Sequence, residues 1–167
     1  MFDAQLRPLI DRLLDPIGRG LVRLGATANQ VTLIGVAFGL IAAGCVAAGL
    51  FHTALWFVIA NRVIDGMDGA VARASRSSDF GGYLDIVSDF IFYSAIPMAF
   101  AMAQPETALA AAFLIFSFIG TATSFLGFAI LAEKHHVTTR IRGKKAFYYL
   151  GGLTEGTETI LLFLAML

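Results

Sequence analysis

Long apolar stretches, interrupted by a few compact groups of charged residues, dominate the pattern of the chain. Three stretches contain no Asp, Glu, Lys or Arg at all: 24–61, 90–105 and 107–132. Because a helix that crosses a membrane needs about 20 mostly apolar residues, the pattern predicts five spans. We place them at about residues 31–50, 54–73, 82–103, 107–131 and 149–167.

The composition also indicates a membrane protein. Of the 167 residues, 57% are apolar and 14% are charged, whereas a water-soluble domain carries about 25% charged residues. Twelve basic and twelve acidic residues cancel, so we expect no nucleic-acid partner. The single cysteine, Cys45, excludes a disulfide framework and a multi-cysteine metal site. The predicted fold is therefore an all-α, polytopic transmembrane helix bundle.

A separate segment, residues 1–23, precedes the first span. Apolar residues recur there at spacings of three and four, while acids and bases occupy the other side. This pattern predicts an amphipathic helix that lies in the membrane surface, followed by the transmembrane bundle at 24–167. The alternative is a helix that packs on a partner. We expect Pro8 and Pro16, with Gly18 and Gly20, to break the helix into pieces.

The distribution of basic residues predicts the orientation of the bundle. Arginines precede the first span, and further Lys and Arg residues occupy the turn after the second span and the loop before the fifth. Loops rich in Lys and Arg stay in the cytoplasm. Of the Lys and Arg residues, only Arg62 lies well inside a span, since Arg73 is at the end of the second, and the opposite loops hold no Lys or Arg. We therefore expect the N-terminus on the cytoplasmic side, together with the end of the second helix and the start of the third.

Four aspartates lie near this cytoplasmic end of the bundle. Asp65 and Asp68 are three residues apart in the second helix, and Asp85 and Asp89 are four apart in the third. Each pair therefore lies on one face of its helix. With a helical rise of about 1.5 Å per residue, all four lie about 6–12 Å from the cytoplasmic ends of their helices. The carboxylates thus pair by depth, and we expect them to converge in one small volume.

Such a group of carboxylates needs a compensating charge, because like charges repel strongly where the dielectric constant is low. Oxygen-only ligands favour Mg²⁺, Mn²⁺ or Ca²⁺ over zinc, and a pair of such ions with open positions is suited to phosphate or diphosphate. Glycines beside the acids let a bulky ligand approach the backbone. Arg73 and Arg76 are placed to meet phosphate oxygens. Arg62 suits a structural counter-charge as well as a ligand contact.

The spacing of these residues is similar to a known signature. Asp-x-x-Asp-Gly-x-x-Ala-Arg, followed by Gly-x-x-x-Asp-x-x-x-Asp, resembles the motif of the CDP-alcohol phosphotransferases, integral membrane enzymes of phospholipid synthesis. The stretch 27–33 is similar to the segment that opens the first helix in this family, with Ala28 in place of the usual proline. The residues that carry the motif are Asp65, Asp68, Gly69, Ala72, Arg73, Gly81, Asp85 and Asp89.

The resemblance implies a reaction and a site. A substituted phosphate group passes from a CDP-linked lipid, in bacteria most often CDP-diacylglycerol, to the hydroxyl of a small alcohol, and CMP is released. Asp89 is then a metal ligand or the general base, and the other ligands of the two ions, Mg²⁺ or Mn²⁺, are Asp65, Asp68 and Asp85. The positions implied for binding the nucleotide and the donor are Thr32, Gly66, Gly69, Ala72, Arg73 and Gly81. The resemblance also implies a homodimer in the bacterial inner membrane.

The acceptor alcohol stays open at this point. One interpretation is that basic residues bind the phosphate of a phosphorylated acceptor; the alternative is that the basic loop meets anionic lipid. Glu155, near the start of the fifth span, is suited to bind acceptor hydroxyls or an amine, and equally to an ion pair inside the bundle. The basic candidates are Arg76, Arg140, Arg142, Lys144 and Lys145.

The chain departs from the family pattern in two places. The link at 74–80 is one residue shorter than usual, and the chain stops inside the fifth of six expected spans, so we expect it to be truncated or incomplete.

Two other functions suit an acidic intramembrane site: a divalent-cation transporter and a scaffold that binds metal for stability. A transporter distributes polar groups through the full membrane depth, whereas the outer halves of three of the predicted helices are apolar. We therefore favour an enzyme.

Overall fold

Helices account for almost all of the residues that the computed structural model describes, which are 3–75, 77–135 and 156–167. No strand occurs within these ranges, so the predicted all-α fold is confirmed. A single-turn 3₁₀ helix at Pro105–Thr107 precedes the fifth helix. The α-helices are α1 (Asp3–Arg23), α2 (Ala28–Ala47), α3 (Phe51–Ala74), α4 (Asp79–Ala103), α5 (Ala108–Lys134) and α6 (Gly156–Met166).

Side-chain caps explain why two helices begin three residues before the predicted positions. At the start of α2, the Thr27 hydroxyl accepts a hydrogen bond from the Gln30 backbone N–H, and the Gln30 side chain accepts one from the Thr27 N–H. This reciprocal pair satisfies two backbone donors at the helix terminus. The Ser78 hydroxyl caps α4 in the same sense, accepting from the Gly81 N–H at 3.0 Å. The first part of the span predicted at 149–167 lies outside the described residues.

Within the described ranges, three segments are long and apolar enough to cross a membrane: Ala28–Ala47, Asp79–Ala103 and Pro105–Lys134. The helix α3 has 24 residues and is therefore also long enough, but it carries the charged residues of the predicted site. The shorter α6 is apolar. The described helices thus agree with an all-α membrane bundle in which one helix brings charge into the interior.

The helix α2 holds the bundle together. It packs closely against both α3 and α4. The backbones of α3 and α4 are close to each other over a shorter stretch than either is to α2. The apolar core lies toward the start of α3 and the end of α4, and its buried members are Ala42, Val46, Ala54, Val58, Phe92, Ile96, Ala99, Phe100 and Phe163. The other half of the α3–α4 pair is consequently left for polar side chains.

The N-terminal helix α1 is continuous, so the expectation that Pro8 and Pro16 break it is wrong. Each proline removes one backbone donor, but packing against α3 compensates for the lost hydrogen bonds. The backbones approach so closely that a Cβ on Gly18 would lie 2.6 Å from the carbonyl carbon of Ala70. On the opposite side α1 exposes Leu9 and Leu13. Its location in the membrane surface stays a prediction.

We expect Gly18→Ala to separate α1 from α3, because even one methyl group has no space against the Ala70 backbone. Overpacking of this kind costs about 2 kcal/mol. Thermal unfolding of the purified protein in detergent measures the loss. The matched control is Gly20→Ala on the same helix, where an added Cβ meets nothing within 4 Å. Equal melting temperatures for the two variants would contradict this packing.

Candidate active site

Three of the four predicted aspartates form one compact group. Asp65 and Asp68 on α3 and Asp85 on α4 each offer a carboxylate oxygen, and these oxygens lie within 4.8 Å of one another. Asp68 is buried, with 6% of its surface exposed, while Asp85 lies at the surface. The group therefore runs from the interior of the bundle to its edge, which leaves an open side for a ligand.

The fourth aspartate, Asp89, lies next to the group but is bound to a cation. Its Oδ1 accepts a hydrogen bond from Nη1 of Arg62 at 2.9 Å. The same nitrogen is 3.6 Å from Oδ2 of Asp65, so one guanidinium connects α3 to α4. The structure thus brings all four acids to one place and divides them into a group of three and an ion pair beside it.

Arg62 is held by its neighbour Asn61 and by side chains of α4, and Asn61 connects it to α2. Its Nε donates to the side-chain oxygen of Asn61 at 2.7 Å, and Nδ2 of Asn61 donates to the backbone carbonyl of Gly35 on α2 at 2.8 Å. The guanidinium carbon lies 4.4 Å from the ring centroid of Phe92 and 5.8 Å from that of Tyr93. A cation that is hydrogen-bonded and stacked in this way is stable in a partly buried site. Arg62 is therefore a counter-charge to the acids.

Asn61 is a residue that sequence reasoning missed. It is 3% exposed and connects the Arg62 guanidinium to α2. A polar residue directly before an arginine, inside an otherwise apolar segment, was the available signal. Buried amides are retained where they satisfy hydrogen bonds that nothing else can reach.

Thr32 on α2 forms a hydrogen bond to the buried member of the acid group, Asp68. Its hydroxyl lies 2.7 Å from Oδ2 of Asp68 and 3.0 Å from the Ala28 carbonyl, so its single proton serves one of two acceptors. When the Thr32 hydroxyl donates to Asp68, the hydrogen bond fixes the orientation of this carboxylate next to the other aspartates. A small cavity of about 10 Å³ lies beside this contact and has room for one water molecule. Its lining includes Thr32, Asn61, Arg62, Asp65, Asp68 and Ser88.

The glycines of the motif face different neighbours. A Cβ on Gly66 would meet the Leu14 side chain of α1 at 2.7 Å, and one on Gly81 would meet the Asn29 side chain at 3.0 Å. Both positions therefore allow helices to approach closely. A Cβ on Gly69 would lie 3.3 Å from Nη1 of Arg73, so this glycine leaves space for the guanidinium. Ala72 is half-buried on the same helix.

Arg73 is bound to α1. Its Nη2 lies 2.8 Å from a carboxylate oxygen of both Asp11 and Asp15, and its Nε donates to Asp15 at 3.1 Å. Sequence reasoning missed both acids, which it assigned to the polar side of a surface helix. The predicted acceptor residues Arg76, Arg140, Arg142 and Glu155 lie outside the described residues.

The chemistry of the donor set fits a hard divalent cation. Three carboxylates with oxygens this close supply only oxygen ligands, as Mg²⁺ and Mn²⁺ prefer. Ligand distances near 2.1 Å put two oxygens of one ion at most about 4.2 Å apart, so a small inward rotation of the side chains suffices. Arg62, 3.6 Å from Asp65, adds positive charge beside the group.

The comparisons with known proteins identify the class. The model of the CDP-alcohol phosphatidyltransferase family matches residues 26–167, so the chain belongs to this family of membrane enzymes, which transfer a phosphatidyl group from a CDP-linked lipid to an alcohol. The chain is 49% identical over 164 residues to the inner membrane protein YnjF of Escherichia coli, which covers 98% of this chain and 80% of that protein.

Two further relatives have names that state an activity. The archaetidylinositol phosphate synthase of Pyrococcus horikoshii is 32% identical over 106 residues, 59% of this chain and 53% of that protein. The CDP-diacylglycerol–serine O-phosphatidyltransferase of Helicobacter pylori is 27% identical over 146 residues, 76% of this chain and 62% of that protein. The chain thus spans less than two thirds of either enzyme. No solved structure matches it.

Replacing Arg62 by Met removes the cation between Asp65 and Asp89. We expect a loss of about 3 kcal/mol in the free energy of unfolding without divalent ions, because partly buried acids lose their partner. Thermal unfolding in detergent measures it. Since an added cation supplies the missing charge, Mg²⁺ should raise the melting temperature of the variant more than that of the wild type. Arg62→Lys, which keeps the charge, is the control; an equal Mg²⁺ response in Arg62→Met and the wild type would contradict the counter-charge role.

Proposed function

We propose that this protein transfers the phosphatidyl group of CDP-diacylglycerol to the hydroxyl of a small polar alcohol, with release of CMP, and that the reaction needs a divalent metal ion. The observation that carries the proposal is the group formed by Asp65, Asp68 and Asp85, whose oxygens lie within 4.8 Å of one another. Family membership supports the reaction type. The open edge of the group at Asp85 supports access for a diphosphate.

The residues divide into binding and proton-transfer roles. Asp65, Asp68 and Asp85 hold the metal, with two ions expected, Mg²⁺ or Mn²⁺; such ions neutralise the diphosphate and stabilise charge on the leaving phosphate. Arg73 donates to a phosphate oxygen of the donor. Thr32 orients the carboxylate of Asp68.

Asp89 is suited to take the proton of the acceptor alcohol. Arg62 binds its Oδ1, and Oδ2 has no hydrogen-bond partner among the described residues. As the alcohol oxygen forms a bond to the phosphorus attached to the lipid, its proton passes to Asp89, and the bond from that phosphorus to CMP breaks. Arg62 fixes the orientation of the carboxylate during this step.

The location of the site supports a lipid donor. The acids lie in the last turns of α3 and the first turns of α4, and α3 has its apolar half beyond them. A headgroup diphosphate at this level leaves its acyl chains in the bilayer. The arginines before α2 and after α3 support a cytoplasmic site and N-terminus, and the name of the Escherichia coli relative supports the inner membrane. The homodimer that the resemblance implies stays a prediction.

The first test is release of CMP by the purified protein. Incubation with CDP-diacylglycerol, Mg²⁺ and an added alcohol should release CMP only when all three are present. The names of the two relatives justify serine and inositol phosphate as acceptors, and glycerol 3-phosphate adds a second phosphorylated alcohol to the panel. CMP release that ignores both EDTA and the acceptor would contradict the proposal, as would metal flux into liposomes without CMP release.

The second test concerns the proton acceptor. We expect Asp89→Asn to abolish turnover, a loss of about 10²–10⁴-fold, while retaining part of the CDP-lipid binding, because the group of three carboxylates remains. CMP release and equilibrium binding of CDP-diacylglycerol measure the two effects. Asp79→Asn, an exposed acid in the first turn of α4, is the matched control. Near-normal turnover in Asp89→Asn would remove the general-base role.

A further inference from the structure

The N-terminal helix lies outside the residues that match the family, which begin at 26, yet it contacts the motif arginine. Asp11 and Asp15 are four residues apart on the inner face of α1, and each places a carboxylate oxygen 2.8 Å from Nη2 of Arg73. Asp15 also accepts from Nε at 3.1 Å. Residues more than fifty positions apart in the chain thus share one guanidinium.

Asp11 and Asp15 bind one edge of the Arg73 guanidinium and leave its other edge available to a ligand. Nε and Nη2 are engaged, whereas Nη1 lies over Gly69, 3.3 Å from the position that a Cβ would take there. No carboxylate of the described residues binds Nη1. Gly69 follows Asp65 by four residues on α3, so the two positions lie on the same side of the helix, and the unused edge of Arg73 lies on the side of α3 that leads to the acid group. A guanidinium has donors enough to serve both partners at once.

The contact contributes more to orientation than to stability. The side chains of Arg73, Asp11 and Asp15 are all about one third exposed, and ion pairs at such positions contribute little to the free energy of unfolding. The acids themselves are held firmly, because Gly18 packs on the Ala70 backbone one turn further along α1 and Leu14 packs on Gly66. A rigid pair of acceptors therefore fixes the direction of a long, otherwise mobile side chain.

We propose that Asp11 and Asp15 are positioning residues, which orient Arg73 so that Nη1 donates to a phosphate oxygen of a nucleoside-diphosphate lipid. The proposal rests on the proposed function, since that function supplies the phosphate. It makes α1 a part of the donor site.

The sign of one effect separates positioning from plain electrostatics. Removing two negative charges beside a site for an anionic donor should tighten binding if only long-range charge mattered. Loss of positioning should weaken it, because the phosphate loses a charge-assisted hydrogen bond.

The test is equilibrium binding of CDP-diacylglycerol in the presence of Mg²⁺, followed by CMP release. We expect Asp11→Asn/Asp15→Asn to raise the donor Kd and KM about tenfold, with kcat changed little. Asp15→Asn alone, which keeps Asp11 in contact with Arg73, should give a smaller rise in a protein whose melting temperature matches the wild type. In an Arg73→Gln background, the double substitution should add nothing.

The outcomes are distinct from those of the proposed function. An unchanged or lowered Kd in the double variant overturns the positioning role, and so does an equal rise in Asp79→Asn, an exposed acid that does not contact Arg73. A further rise in the Arg73→Gln background also overturns it. If the wild type binds the donor but releases no CMP, the proposed reaction fails while the binding comparison still decides the role of Asp11 and Asp15.

Discussion

The compensation of carboxylate charge between α3 and α4 is the constraint on which the site depends. Three aspartates share one small volume, and Arg62 binds the neighbouring Asp89 and approaches Asp65. In a medium of low dielectric constant such an excess of negative charge is costly. A divalent ion held by these carboxylates would offset part of that charge, and its open positions would suit a phosphate.

Glycines at the contacts between helices connect the acid-bearing helix α3 to α2 and α1. Gly35 offers its carbonyl to Asn61 and so connects α2 to Arg62, while Gly18 and Gly66 bring α1 onto α3. Because α2 contacts both α3 and α4, it keeps the backbones of these two helices apart. The space between α3 and α4 is consequently occupied by side chains. The charged half of the bundle is consequently positioned by the helices around it.

The candidate site could be predicted as far as local periodicity reaches. The separations of Asp65 from Asp68 and of Asp85 from Asp89 place each pair on one helix face, and the short link between the helices brings the pairs together. The break expected at Pro8 and Pro16 was wrong because the stability of α1 comes from α3, a contact that the local sequence does not report. The roles of the site residues stay predictions.

The sequence by itself determined that the chain forms apolar helices, where they lie within a few residues, and which acids face one another, because hydropathy and helical period are local properties. Only the tertiary structure decided that Arg62 binds Asp89, that Asn61 ties this arginine to α2, and that Asp11 and Asp15 hold Arg73. These contacts join residues on different helices, and a contact between helices depends on their relative rotation and distance. Packing of the whole bundle sets both quantities, and no local pattern records them.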